Sequence, residues 1–144
     1  MALPQKIDLR IATAERLLFS GLVDAVTVPS TKGYLGILPG HAPLLTELGI
    51  GNISYTIESH TTFLACAWGF LEVLPDRVIV LAQTAEMAGE IDRARAEQAR
   101  SRAERLLFSK DPDTDFVRAQ LALLRAIARL DAVRMHEHAS FARK

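Results

Sequence analysis

Cysteine is almost absent: Cys66 is the only one among 144 residues. No disulfide can form within the chain, which fits a reducing compartment. Cys66 stands in an apolar run and reads as a small core residue. Long apolar runs are also lacking. The most apolar stretch, FLACAWGFLEVL, is broken at Glu72 and followed by Pro75, well short of the ~20 residues a membrane-spanning helix needs. The start, MALPQKIDLRIATAERLL, has neither the apolar block and small-residue cleavage site of a signal peptide nor the Arg/Ser-rich, acid-poor composition of a transit peptide, so no leader is expected. Net charge is missing too, with 17 Lys/Arg against 17 Asp/Glu, and composition gives no case for nucleic acid or an anionic membrane. Membrane association is expected only through a partner. At this length the chain suits one domain, or a small domain with an appendage.

Neutrality conceals an asymmetry. Residues 1–87 hold 5 Lys/Arg and 8 Asp/Glu, whereas residues 88–144 hold 12 and 9. The second part is basic and could meet an acidic partner. Its hydrophobic period differs as well. In the first part KIDLRIAT, DAVTVPS and NISYTIES alternate apolar and polar residues, the pattern of strands with one wet face. TTFLACAWGFLEVL and DRVIVLAQT are longer apolar runs, expected of more fully buried strands. Gly21, Pro29, Gly33, Gly36, Gly40, Gly49, Gly51 and Pro75 read as punctuation between them. Short strands at regular spacing predict an antiparallel β-sandwich or barrel.

No proline occurs from Asp76 to Asp111. Near residue 87 the apolar set becomes Ile91, Ala96, Ala99, Ala103, Leu106 and Leu107, a narrow helical stripe. Gly89 is a candidate hinge. This helix should end near FSKDPD, with Asp111 or Asp113 as the N-cap of the next. Phe116, Ala119, Leu123, Ala126, Leu130 and Val133 then recur in steps of three and four. Two such helices joined by a short polar loop form an antiparallel α-helical hairpin. The predicted fold is a β-sandwich over 1–87 followed by that hairpin over 88–144. Alanines bury little area each, so the hairpin should be held weakly and could change partners.

The run GYLGILPGHAPLLTELGIG, Gly33 to Gly51, is similar to the epsilon subunit family of bacterial and chloroplast F-type ATP synthases. LLFSGLVDAVTVPS before it, and WGFLEVLPDRVIVLAQTAE, IDRARAEQARSRAERLL and DFVRAQLALLRAIARL after it, stand in the family's order and extend the resemblance over nearly the whole chain. MHEHASFARK at the end lies outside it. The resemblance implies a sandwich of about ten strands and a helical hairpin. It also implies a non-catalytic rotor subunit. The sandwich would clamp the gamma subunit and sit on the c ring, coupling proton flow to ATP synthesis. The hairpin would permit ATP hydrolysis when folded down and block it when extended into the alpha/beta catalytic head. The implied location is peripheral, on the cytoplasmic face of the bacterial inner membrane or the stromal side of the thylakoid. Tyr34, Leu38, Pro39, Gly40 and His41 are the implied c-ring contact residues. The position after Gly33 is often Glu in the family; Tyr34 replaces that charged contact by packing or a hydroxyl.

Two prolines and a glycine around His41 fix a loop backbone. A hydrolase built on His41 would need Ser30 or Thr46 as its nucleophile, and the spacing fits no nucleophile motif. His136 and His138 are two apart, off a common helical face, so no metal cluster is expected. The Gly-Lys-Ser/Thr ending of a P-loop is missing.

The arginines remain. Asp92 near a helix start complements the helix dipole, and Arg93–Glu97 and Arg100–Glu104 are candidate i,i+4 pairs. Arg95 and Arg102 share one face of the first helix, and Arg125 and Arg129 one face of the second, with few acids beside them. Converged guanidinium groups need an anion with several oxygens, such as a triphosphate. Some members of the resembled family bind ATP on the folded hairpin through an Ile/Leu-Asp-x-x-Arg-Ala motif, filled here by Ile91, Asp92, Arg95 and Ala96. Arg102, Arg125 and Arg129 match the further arginines, and Glu86 precedes the hairpin. Glu86 and Asp92 would take donors of the nucleoside and the arginines the phosphates. No cofactor is required; ATP would be a regulator. The same arginines could alternatively meet acidic segments of the beta subunits. A free-standing ATP sensor would show the same binding without affinity for gamma.

Overall fold

The computed structural model of the chain describes residues 3–142. Seven strands come first: β1 Ile7–Ala12, β2 Leu17–Val23, β3 Ala25–Ser30, β4 Gly33–Ile37, β5 Leu44–Ile57, β6 His60–Leu74 and β7 Arg77–Met87. A 3-10 turn, Ala88–Glu90, leads to α1 Arg93–Leu107 and α2 Phe116–Ala142. The strands form one sheet in the order β2-β1-β7-β6-β5-β3-β4. All neighbours are antiparallel except β1 and β7, which pair in parallel from Asp8–Arg77 to Ala12–Leu81. That exception departs from the all-antiparallel expectation. The long connection between the two strands leaves either direction open to them, whereas a tight hairpin would not.

The strand count differs from the ten implied, for a reason visible in the side chains. In β5 the core residues are Leu48 and then Ile53 and Tyr55; in β6, Leu64 and Cys66 and then Leu71 and Val73. In β7, Val78, Val80 and Ala82 are followed by Ala85 and Met87. Each long strand thus changes phase halfway, and the pairing registers continue across the change. In β6 the change falls at Trp68 and Gly69, both with left-handed φ, 61° and 131°. One half of each long strand joins β1 and β2 in one layer; the other half joins β3 and β4 in the second. Dividing the three long strands at that point gives ten segments around one core.

Several residues read as punctuation lie inside strands: Gly21 in β2, Pro29 in β3, Gly33 and Gly36 in β4, Gly49 and Gly51 in β5. The β3–β5 register shifts between Thr27 and Ser30. There a Cβ on Gly49 would lie 3.0 Å from the Ser30 backbone O, and one on Gly51 would lie 2.6 Å from the Tyr34 hydroxyl and 2.9 Å from Pro29 Cβ. The Asn52 N–H donates to the Tyr34 hydroxyl at 3.0 Å. Tyr34→Phe leaves that donor without its partner. The expected cost is about 1–2 kcal/mol, read as a lower denaturant midpoint with an unchanged slope.

The helices cover only the second layer. α2 rests on β5 and β6, and α1 packs on α2. Ala119, Ala126 and Val133, on the predicted seam, are buried, as are Ala96 and Ala103 of α1. A second face of α2 buries Ala128 and Ala132 against Ala65, Ala88, Ile50, Phe63 and Ile91. The N-cap of α2 is Asp115, whose carboxylate accepts from Arg118 N at 3.0 Å. Asp111 instead accepts from Asp113 N at 2.9 Å. The cap therefore lies two residues beyond Asp113 and four beyond Asp111, because Asp111 and Pro112 are taken up in the connecting turn. The stretch from Met135 continues α2 as far as Ala142.

Candidate functional site

Where the chain leaves the sheet, the 3-10 turn with its following residues and both helices enclose a cleft of about 310 Å³. Glu86 comes from the end of β7, and Glu90, Ile91 and Asp92 come from the connection to α1. Arg95, Ala96, Ala99 and Arg102 come from α1, and Arg129 from α2. Three of the four arginines singled out in the sequence thus line one cleft. Arg125 is one helical turn from Arg129 and lines an adjoining depression with Glu86, Arg129 and Ala128. Glu86 and Arg129 therefore border both spaces.

Each charge has a definite setting. Asp92 is the N-cap of α1 and accepts from Arg95 N at 3.2 Å. Its carboxylate thereby satisfies one of the helix's free donors. Arg129 Nε donates to Glu86 Oε1 at 2.6 Å. Arg16 reaches from the β1–β2 connection to grip Glu90 with both terminal nitrogens, at 3.2 and 2.6 Å. The hydrogen bond from Arg16 holds the Glu90 carboxyl below its ordinary range. This tether is present at neutral pH and is lost as pH falls through the lowered Glu90 value. Arg93 pairs with Glu137 across the hairpin instead of with Glu97. Arg100 pairs with Glu104 at 3.6 Å, as expected. Among the described residues, Arg95, Arg102 and Arg125 form no ion pair.

The cleft is therefore polarised. Its carboxylates gather where β7 passes into the 3-10 turn, and its unpaired guanidinium groups, Arg95 and Arg102, lie along α1. Arg95 and Arg102 are about 10 Å apart along α1 at 1.5 Å per residue. A ligand that offers hydrogen-bond donors at one end and several anionic oxygens at the other matches this order. The volume lies at the lower end of small-molecule sites, roughly 300–1,000 Å³.

The loop residues divide into two groups. Leu38, Pro39, Gly40 and His41 form an end turn, fixed by His41 N donating to Leu38 O at 3.2 Å and Gly40 N to Pro75 O at 2.7 Å. Leu38 and, beyond it, Leu45 are exposed. Tyr34 is not brought to that turn. It is four residues up β4, about 13 Å at ~3.3 Å per residue, with its hydroxyl on Asn52. His41 Nδ1 lies 2.7 Å from Ala42 O. The Ser30 hydroxyl donates to Gly33 O at 2.6 Å, at the opposite end of β4. Imidazole and hydroxyl are thus held apart. Burial pushes the Cys66 thiol up to about 12, and Cys66 lies in the core as read.

One surface was not found from the sequence. On the layer away from the helices, Trp68, Phe70 and Leu81 are 38%, 59% and 56% exposed. With Leu48 and Ala82 they line an apolar groove of about 640 Å³. The phase change in β6 is what turns Phe70 outward, and alternation alone does not reveal it.

Comparison with known proteins follows these two units. The family described as ATP synthase, Delta/Epsilon chain, beta-sandwich domain matches residues 6–88. The corresponding long alpha-helix domain matches residues 90–134. The chain is 46% identical to the ATP synthase epsilon chain of Herpetosiphon aurantiacus, over 92% of this chain and 97% of that one. It is 51% identical to the epsilon chain of Koribacter versatilis, over 74% and 75%. Among solved structures, a chain of the Euglena gracilis mitochondrial ATP synthase OSCP/F1/c-ring assembly shares the fold at a TM-score of 0.81 and 21% identity, covering 92% of this chain and 84% of that chain.

Proposed function

Since this chain belongs to the epsilon family of ATP synthase chains, we propose that it is a non-catalytic subunit of the central stalk. In this reading it couples proton translocation to ATP synthesis, restrains ATP hydrolysis through its hairpin, and takes up ATP on the folded hairpin as a signal. The observation that carries the regulatory part is the polarised cleft. Arg95, Arg102 and Arg129 converge from two helices on a space bounded by Glu86, Glu90 and Asp92. That convergence exists only while α1 and α2 lie against each other and against the hinge. A triphosphate held there favours the folded hairpin by its differential affinity for that state, typically ~1–3 kcal/mol for such couplings. An extended hairpin would offer the same arginines to acidic segments of the catalytic head, so ATP and inhibition exclude one another.

The apolar groove at Trp68, Phe70 and Leu81 supports a rotor subunit over a free-standing sensor. Exposed aromatic side chains around a cleft are what a protein partner buries, and gamma is the proposed occupant. The end turn with Leu38 and His41 is the proposed c-ring contact. No described helix is long and apolar enough to cross a membrane. Peripheral attachment through these partners, on the cytoplasmic face of a bacterial inner membrane, follows from the same reading.

Deletion of residues 88–144 tests the restraint. The main core draws only on strands β1 to β7, so the truncated sandwich should still assemble with gamma and the c ring. Hydrolysis by the assembled enzyme should rise. Intact assembly with unchanged hydrolysis would refute a regulatory hairpin.

A further inference from the structure

Asn52 is the one buried polar side chain among the described residues, 8% exposed. It stands in β5 on the face that α2 covers. Its Nδ2 donates to Ala128 O of α2 at 2.8 Å and lies 3.4 Å from Leu64 O of β6. One amide thus spans the boundary between sandwich and hairpin.

The rest of that boundary specifies position poorly. Apart from the half-exposed Arg129–Glu86 pair, it consists of Ala65 and Ala88 against Ala128 and Ala132, flanked by Ile50, Phe63 and Ile91. Small side chains make a smooth contact, with few knobs to fix where a helix sits. A directional hydrogen bond to one main-chain carbonyl supplies what they lack. The site depends on that placement: Arg129 follows Ala128 directly, and Arg125 lies one turn before it. Sliding of α2 by one residue would move both by about 1.5 Å and turn them out of line with Glu86 and Arg95.

We propose that Asn52 is a positioning residue, whose amide pins α2 at Ala128 and so sets both the docking of the hairpin and the alignment of Arg129 in the cleft. The inference rests on the reading of a hairpin that docks and undocks. Its recognition chemistry requires a neutral donor. Asparagine donates to the carbonyl, whereas an aspartate of the same shape would place a charged acceptor against it in a buried contact. Buried polar groups that fix register at a helix interface have precedent in coiled coils.

The test uses the full chain with spin labels at Lys32→Cys and Ser101→Cys; Cys66 is buried and stays unlabelled. The distance distribution reports the docked hairpin. Asn52→Asp should lower the docked-to-open ratio by about tenfold or more near pH 8. The ratio should recover towards that of the unmodified chain as pH falls towards about 4, where the carboxyl protonates and can donate again. The sign follows because docking raises the carboxyl's pKa, so docking is regained on the acid side. The ionisable groups at this interface are Tyr34 on β4, Asp131 and Arg134 on α2, which pair at 3.4 Å, and the Glu86–Arg129 pair between β7 and α2. They are common to both proteins, so the difference between the two titrations isolates position 52. Asn52→Leu, uncharged and of similar size, should keep the hairpin docked with a broadened distribution. An Asn52→Asp chain docked as narrowly as the unmodified one near pH 8, or an Asn52→Leu chain with an unbroadened peak, would overturn the pin. A docked hairpin that binds no triphosphate would overturn the nucleotide reading and leave the pin in place.

Discussion

Gly69→Ala is expected to destabilise the sandwich by more than any other single methyl group added to this chain. Gly69 has φ +131°, a conformation that L side chains rarely adopt, and an added Cβ would lie 2.0 Å from Leu81 O and 2.9 Å from Ala82 Cα. Both obstructing atoms are backbone of the neighbouring strand β7, so relief requires separating β6 from β7 at the centre of the sheet. Strain of this kind costs on the order of 3 kcal/mol or more, a large part of the roughly 5–15 kcal/mol that holds a domain together. Thermal unfolding of the purified variant should show a much lower midpoint or insoluble protein. Gly36→Ala is the matched control, because its added Cβ meets nothing within 4 Å. Equal midpoints for the two variants would contradict the close packing described at the phase change.

The second large effect concerns the arginines. Arg95→Ala and Arg125→Ala should each weaken ATP binding by about tenfold to a hundredfold, since a charge-assisted hydrogen bond contributes roughly 1.5–3 kcal/mol. Neither side chain takes part in an ion pair among the described residues, so truncation strands no buried carboxylate and the fold should persist. The two positions probe different things. Arg95 lines the cleft itself, and Arg125 the depression beside it. Loss in both would extend the phosphate site across the Glu86–Arg129 pair. Loss in Arg95→Ala alone would confine it to the cleft. Circular dichroism of each variant separates loss of ligand from loss of helix.

The fold was legible where side chains alternate or recur. β1, β3 and the second half of β5 follow from apolar alternation, β6 and β7 from longer apolar runs, and the α1–α2 seam from steps of three and four. β2, β4 and the first half of β5 were hidden by their glycines. Gly49 and Gly51 resemble turn residues in sequence, but they are needed where β3 and β5 approach too closely for a Cβ. The parallel β1–β7 pair was hidden because alternation carries no direction.

Much of the candidate site could also be read in advance, since IDRARA and the arginine spacing name its residues. Spacing along a helix does not say where the other helix stops, and that is why Arg125 stands beside the cleft instead of in it. Asp92 and Glu86 are already engaged, as a helix cap and as the partner of Arg129. Asn52 gave no signal. In NISYTI it takes a place on the wet side of a strand, and only the covering of that side by Ala128 and Ala132, some 75 residues on, makes it a buried donor. A second apolar face on α2, away from its seam, was the available hint.

Calorimetric titration of the full chain with ATP tests the central claim most directly, with Arg95→Ala and Arg125→Ala titrated alongside. The account predicts saturable heat for one nucleotide per chain, weakened by each substitution. The absence of heat at millimolar ATP, or binding that both substitutions leave unchanged, would contradict it.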